Sequence, residues 1–165
     1  MNSKMEQILE LIINSFKETS KSKKIGDVIK ENKDLHNYPC TNEYDNYTIE
    51  QFLVLFKISY LNYLAIIDDE TSKSLEKLYF YRIELNRRMG DLAYKNLYDK
   101  SIIDREKIES LYDKLQKVDL VLNKYHLLVQ NDECEMQFFT SIENGNYQDK
   151  VTSEEIKELM LELKR

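Results

Sequence analysis

The sequence predicts an all-α protein, a single-domain helical bundle of five to six helices spanning residues 1–165, and three observations carry that expectation. The stretch from Phe52 to Ile67 is apolar on every side of a helical wheel, broken only at Lys57, Ser59 and Asn62. Two long amphipathic patterns, 72–98 and 105–130, follow it with a short polar connection. Turn formers are scarce: one proline, Pro39, and three glycines, Gly26, Gly90 and Gly145, too few for closely spaced strands. A chain of 165 residues is long enough to bury on the order of 70% of its unfolded surface around one core.

Taken in order, Met5, Ile8, Leu9, Ile12, Ile13 and Phe16 follow the i, i+3, i+4 rhythm of an amphipathic helix. Ile25, Val28 and Ile29 suggest a short second helix. Residues 34–47 have no period, hold the proline, and read as an ordered loop. Thr48 opens T-I-E-Q, a capping box that starts the central helix, expected over 49–67. A helix apolar all round must be enclosed by its neighbours. It does not suit a bilayer, because its polar breaks interrupt a run already shorter than the roughly 18 to 20 apolar residues a span needs.

The polar stretch DDET ends that helix and caps the next, expected over 72–98. Asp104 caps its partner, expected over 105–130, where Ile108, Leu111, Leu115, Val118, Leu122, Tyr125 and Val129 keep 3,4 spacing. Two helices of matched length and a short connection predict an antiparallel hairpin, laid against the central helix. Gly90, in mid-helix, suggests a close packing contact. Residues 132–145 fit either a helix ending at Gly145 or a short strand, and Thr152 opens a second capping box, T-S-E-E, before the last helix. The segment 132–165 is acidic.

The net charge of −6 is unevenly spread. Nine acids lie between Asp132 and Glu162, against Lys150 and Lys157, whereas four lysines fall within 17–24. An acidic balance disfavours direct nucleic-acid binding, which needs clustered Lys and Arg to neutralise phosphates. Lys21, Lys23 and Lys24 are the basic cluster that could attempt it. The two cysteines, Cys40 and Cys134, are too few for a secreted disulfide framework, so a cytoplasmic protein is expected. The excess of lysine over arginine, 19 to 5, with abundant Asn, Ile and Tyr, matches the codon usage of an AT-rich bacterial or phage genome.

Four polar residues fall inside the expected apolar faces of the hairpin: Arg82, Asn86, Asp119 and His126. With the turn near Ser101 and Ile102, residues whose numbers sum to about 203 share a level, which predicts an ion pair between Arg82 and Asp119. The four read as a buried polar cluster that fixes register. Arg82, Asp119 and His126 also form the one constellation that could perform acid/base chemistry on a phosphate. No arginine precedes His126 with four to six residues between them, so the Arg-x(4–6)-His spacing of the helical HEPN ribonucleases is absent. His36 and Cys40, with His126 and Cys134, lack the tight spacing of a zinc site, and phosphate-loop, G-x-S-x-G and H-E-x-x-H motifs are absent. No cofactor or metal is implied. The segment 90–111 has the outline of a helix-turn-helix, but the residues in the recognition position are as acidic as they are basic.

What remains is surface. Phe80, Glu84, Arg87, Asp91, Tyr94 and Tyr98 form a stripe of aromatics and self-pairing charges on the 72–98 helix, with Tyr81 facing another way. Aromatics and arginine are enriched at interface centres. The expected function is therefore non-enzymatic binding to another protein, as a stoichiometric inhibitor or regulator. Phe80, Tyr81, Arg87, Tyr94 and Tyr98 form one contact surface, and Glu154, Glu155 and Glu158 form a second, aimed at a basic, nucleic-acid-binding partner. A membrane partner is not expected, and a homodimer is left open. A helix-turn-helix regulator and a nuclease-like enzyme using Arg82, Asp119 and His126 are the alternatives.

Overall fold

The computed structural model describes Lys24, Asp27 and residues 46–98, 105–128, 132–145, 147 and 151–164. They form five α-helices, α1 (Ile49–Tyr63), α2 (Asp69–Tyr98), α3 (Arg105–Lys124), α4 (Asp132–Asn144) and α5 (Ser153–Leu163), with no strand among them. The all-α class is as expected, and 132–144 is helix, not strand. Apart from Lys24 and Asp27, the residues of the two helices expected ahead of the loop, and most of the loop expected at 34–47, lie outside the described residues. The chain comprises two compact units, residues 1–65 and 66–165.

In the first unit, α1 begins at a complete capping box. The Gln51 amide donates to the Thr48 hydroxyl at 3.1 Å, and the Thr48 amide donates to Gln51 Oε1 at 3.2 Å. An isolated β-bridge joins Thr48 to Lys24. Between Ile49 and Leu61, only Glu50, Gln51 and Ser59 escape burial. Lys57 is fully buried within this apolar run, engaged in a further interaction. The helix stops at Tyr63, four residues before the expected end, because Ala65 turns left-handed with φ 59° and its amide closes onto the Asn62 carbonyl at 3.0 Å.

The second unit is organised on α2. Asp68 caps it: its carboxylate accepts from the Thr71 amide at 2.7 Å, and Asp69 and Glu70 occupy the first turn, where the helix dipole favours acids. The helix thus begins three residues ahead of the expected Ser72. The α3 helix runs antiparallel to α2, as the hairpin reading requires, and their contact buries Leu75, Leu78, Leu85, Val118 and Leu122. Each such side chain adds roughly 1.5–3 kcal/mol.

The end of α3 corrects the expected 105–130 span. It finishes at Lys124, where His126 turns left-handed with φ 55°. The His126 amide donates to the Asn123 carbonyl at 3.1 Å and the Leu127 amide to the Leu122 carbonyl at 3.3 Å, the paired bonds of a Schellman cap, with Leu127 buried beyond it. Val129 lies outside the described residues. At α4 the cap residue is Gly145, with φ 67°, as expected.

The α5 helix starts at Thr152, whose hydroxyl accepts from the Glu155 amide at 3.3 Å, and lies alongside the first half of α2. Lys157 Nζ is 3.9 Å from Glu70 near its start, and at its end the Leu163 carbonyl accepts from the Tyr81 hydroxyl at 3.2 Å. The two helices therefore run parallel. Lys117 on α3 reaches Glu162 at 2.9 Å. The connection before α5 is held by Tyr125, which donates to the Val151 carbonyl at 2.5 Å, and by Tyr147, which stacks on Tyr125 and donates to its carbonyl at 3.3 Å.

The two halves of α2 differ in burial. Among the described side chains, the buried residues of α2 end at Leu85, while Met89 and Leu92, with Ile108, Leu111 and Leu115 opposite, are only half-buried. Gly90 is exposed, and a Cβ built on it would meet nothing within 4 Å, so the close contact expected there does not exist.

Candidate interaction surface

The outward side of α2 carries Phe80 and Tyr94, 41% and 65% exposed. They are fourteen residues apart, which is about 21 Å along the helix. Between them lies a fixed charge network. Arg87 Nη2 and Nε donate to the two oxygens of Glu84 at 2.6 and 3.0 Å, and Nη1 donates to Asp91 at 2.9 Å. Arg88 adds a 3.2 Å contact to Glu84. The Arg87 hydrogen bonds, with Arg88 behind them, hold the Glu84 carboxyl down to about 2. In return, the carboxylates raise the Arg87 guanidinium above its ordinary value. An arginine pinned through three of its nitrogens loses little further freedom when a partner packs against it, which lowers the cost of binding.

Tyr81 and the α5 glutamates, also expected to bind a partner, lie on other faces. Tyr81 is half-buried and committed to the Leu163 carbonyl, so it braces α5 against α2. The side chain of Tyr98 lies outside the described residues. Glu154, Glu155 and Glu158 are exposed on α5, with Leu161 beside them at 64% exposure.

The expected polar cluster is gathered only in part. Arg82 Nε donates to Asp119 Oδ1 at 2.6 Å, and the two side chains are 20% and 28% exposed. Asn86 is exposed, so it does not point into the packed face of the hairpin as expected. His126 belongs to the turn after α3, about 10 Å along the axis from Asp119, and its ring meets Tyr147 edge-on at 6.3 Å. Arg82, Asp119 and His126 therefore do not converge on one point, and the arginine and aspartate are occupied by each other.

Among the described residues no three His, Cys, Asp or Glu side chains converge to hold a metal ion. His36, Cys40 and the side chain of Cys134 lie outside them. No described helix is long and apolar enough to cross a membrane. A feature not read from the sequence is the groove of about 390 Å³ between the distal halves of α2 and α3. Its only trace in the pattern is Lys107 and Lys114 flanking Leu111. No family model, curated protein or solved structure matches the chain.

Proposed function

We propose that this chain is a non-enzymatic protein-binding module of the cytoplasm, a stoichiometric inhibitor or regulator that engages its target through the outward face of α2. The observation that supports the reading is Phe80 and Tyr94 standing exposed on either side of the clamped Arg87. Two aromatic anchors beside an ordered arginine make the composition of an interface centre. The exposed carboxylates Glu154, Glu155 and Glu158 on α5 add a second surface, suited to a basic partner such as a nucleic-acid-binding protein.

The pairing of Arg82 with Asp119 favours this reading over a helix-turn-helix, because it lies deep in both helices and holds them side by side instead of letting the second diverge into a groove. The test is affinity capture from the native host with the wild-type chain and with Phe80→Ala/Tyr94→Ala. A specific partner should be retained near one-to-one by the wild type and at least about tenfold less by the variant, with the melting temperature unchanged. Equal retention by both would remove the α2 face from the proposal. A partner held through α5 instead should be lost in Glu154→Lys/Glu158→Lys and weaken steeply with salt.

A further inference from the structure

The α5 helix lies on the α2–α3 hairpin in the manner of a bound peptide. Its apolar side chains Ile156, Leu159, Met160 and Leu163 stand at i, i+3, i+4 and i+7, the anchor spacing of a helix seated in a groove. Ile156 and Leu163 are buried, Leu159 and Met160 are half-buried, and the acids around them are exposed. Beneath the helix, Glu70, Ser74, Leu78 and Tyr81 share one side of α2 at i, i+4, i+8 and i+11. The first and last of these reach α5, and Ser74 and Leu78 between them are buried. On α3, Lys117 closes the other side of this seam by pairing with Glu162.

What fastens α5 there is slight. Among the described residues its polar contacts with the hairpin are Lys157 to Glu70 at 3.9 Å, Lys117 to Glu162 at 2.9 Å, and the Tyr81 hydroxyl to the Leu163 carbonyl at 3.2 Å. In both ion pairs each side chain is more than half exposed, so they contribute little in water. A helix of 11 residues does not persist by itself; the hairpin holds it in shape. Such an element opens at lower free energy than α2 and α3, whose facing side chains bury one another. The chain ahead of it is better secured, because Tyr125 bonds the Val151 carbonyl and Tyr147 bonds that of Tyr125. An undocked α5 therefore stays tethered beside the seam.

We infer that the seam under α5 is a docking site for an amphipathic helix of a partner protein, and that α5 occupies it in cis as a displaceable cover. The seat of α5 defines the chemistry of the incoming helix. It carries apolar residues at i, i+3 or i+4, and i+7, as Ile156 to Leu163 do, and a carboxylate at i+6 to meet Lys117, as Glu162 does. The tethered α5 competes at high effective concentration, so a partner engages only when its stripe outmatches that of α5. Neither Phe80 nor Tyr94 belongs to the seam, and the inference goes beyond the target surface proposed for α2.

The probe is a fluorescein-labelled peptide of residues 151–165, added to the full chain and followed by anisotropy. It should bind the Ile156→Asp/Leu163→Asp chain, whose own helix is undocked, at least about tenfold more tightly than the wild type. The same two substitutions in the peptide should abolish binding. Lys117→Glu added to that chain should weaken the peptide about two- to fivefold, and Glu162→Lys in the peptide should recover the loss. If circular dichroism shows the hairpin itself lost in the double variant, Leu163→Ala, confined to α5, takes its place and should also bind more tightly than wild type. Native-state hydrogen exchange of the wild type should open the α5 amides at least about tenfold faster than those of α2 between Leu75 and Leu85. Absence of binding to a folded variant at about 200 µM peptide, binding indifferent to the peptide substitutions, or α5 amides that exchange only with the whole unit overturns the inference. Wild-type self-association through α5, seen by ultracentrifugation and lost in Ile156→Asp/Leu163→Asp, makes a second copy the occupant and overturns the partner reading. Because the α2 aromatics take no part, these readouts are separate from the capture experiment above.

Discussion

Arg82 Nε and Asp119 Oδ1 lie 2.6 Å apart across the α2–α3 hairpin, joining residues 37 positions apart in the chain. With each side chain less than a third exposed, the pair is partly withdrawn from water, and removing one member leaves the other inadequately solvated. Arg82→Ala and Asp119→Ala should each destabilise by about 1–3 kcal/mol in chemical denaturation. Arg82→Ala/Asp119→Ala should fall well short of the sum, since no charge is then left without its partner. Strict additivity in this cycle would mean the contact contributes nothing.

Gly90 and Gly145 answer oppositely to the same change. At Gly90 the helix is regular and a methyl group meets open space, so Gly90→Ala should stabilise by about 0.5–1 kcal/mol. At Gly145, with φ 67°, Gly145→Ala should destabilise by about 1 kcal/mol. Thermal melts of the two variants, run side by side, check both signs.

The left-handed alanine at the end of α1 supplies the inverse experiment. Ala65 adopts φ 59° at an exposed position, where a side chain costs about 1–2 kcal/mol that glycine does not incur. Part of that gain is offset by the larger freedom of glycine in the unfolded chain. Ala65→Gly should therefore raise the denaturation midpoint by a few tenths to about 1 kcal/mol equivalent, and a lowered midpoint would count against the assigned turn.

Alkali should unfold the second unit in a defined window. Burial pushes the Tyr125 phenol up to about 12, and burial raises Tyr147 as well. Each phenol also donates to a carbonyl and needs its proton to do so. Both folded-state values stand above the unfolded value near 10, so the stability these phenols contribute is intact below about pH 10 and declines as pH rises towards 12. Tyrosinate absorbance and circular dichroism should change together in that range. Ionisation of all tyrosines near pH 10 without loss of helix would contradict it.

Acid acts on a different element. Glu84, held to about 2 by Arg87 and Arg88, has a folded-state value below its unfolded one, so its contribution is present above about pH 4.5 and is lost as pH falls towards 2. The network is solvent-exposed and screened, so the informative readout is a carbon-detected NMR titration of the Glu84 carboxyl. Arg87→Ala should move its midpoint back towards 4.5.

How much of this was legible in the sequence depends on the range of the interaction. The Arg82–Asp119 contact was readable because antiparallel helices pair residues at a nearly constant index sum. Thr48, Thr152 and Gly145 were readable because caps are local. The end of α3 was not, since the 3,4 spacing continues through Tyr125 and Val129 while the stop is made by a histidine in the conformation usually left to glycine. The DDET stretch announced a cap without saying which of its residues supplies it, and Asp68 does. The extent of α5 along α2 was hidden for a different reason: parallel docking of a short helix leaves no index-sum rule.

The hydrogen bond from Tyr81 to the Leu163 carbonyl spans 82 residues of chain, and this governs the order in which the unit can assemble. The hairpin closes on itself through a short link and can condense early, whereas the flank of α2 around Tyr81 waits for a segment synthesised far later, at a larger loop-closure cost. On a ribosome translating ~5–20 residues per second, the nascent hairpin spends several seconds with that greasy flank bare. Its vulnerability to aggregation and to chaperone capture is concentrated in that interval.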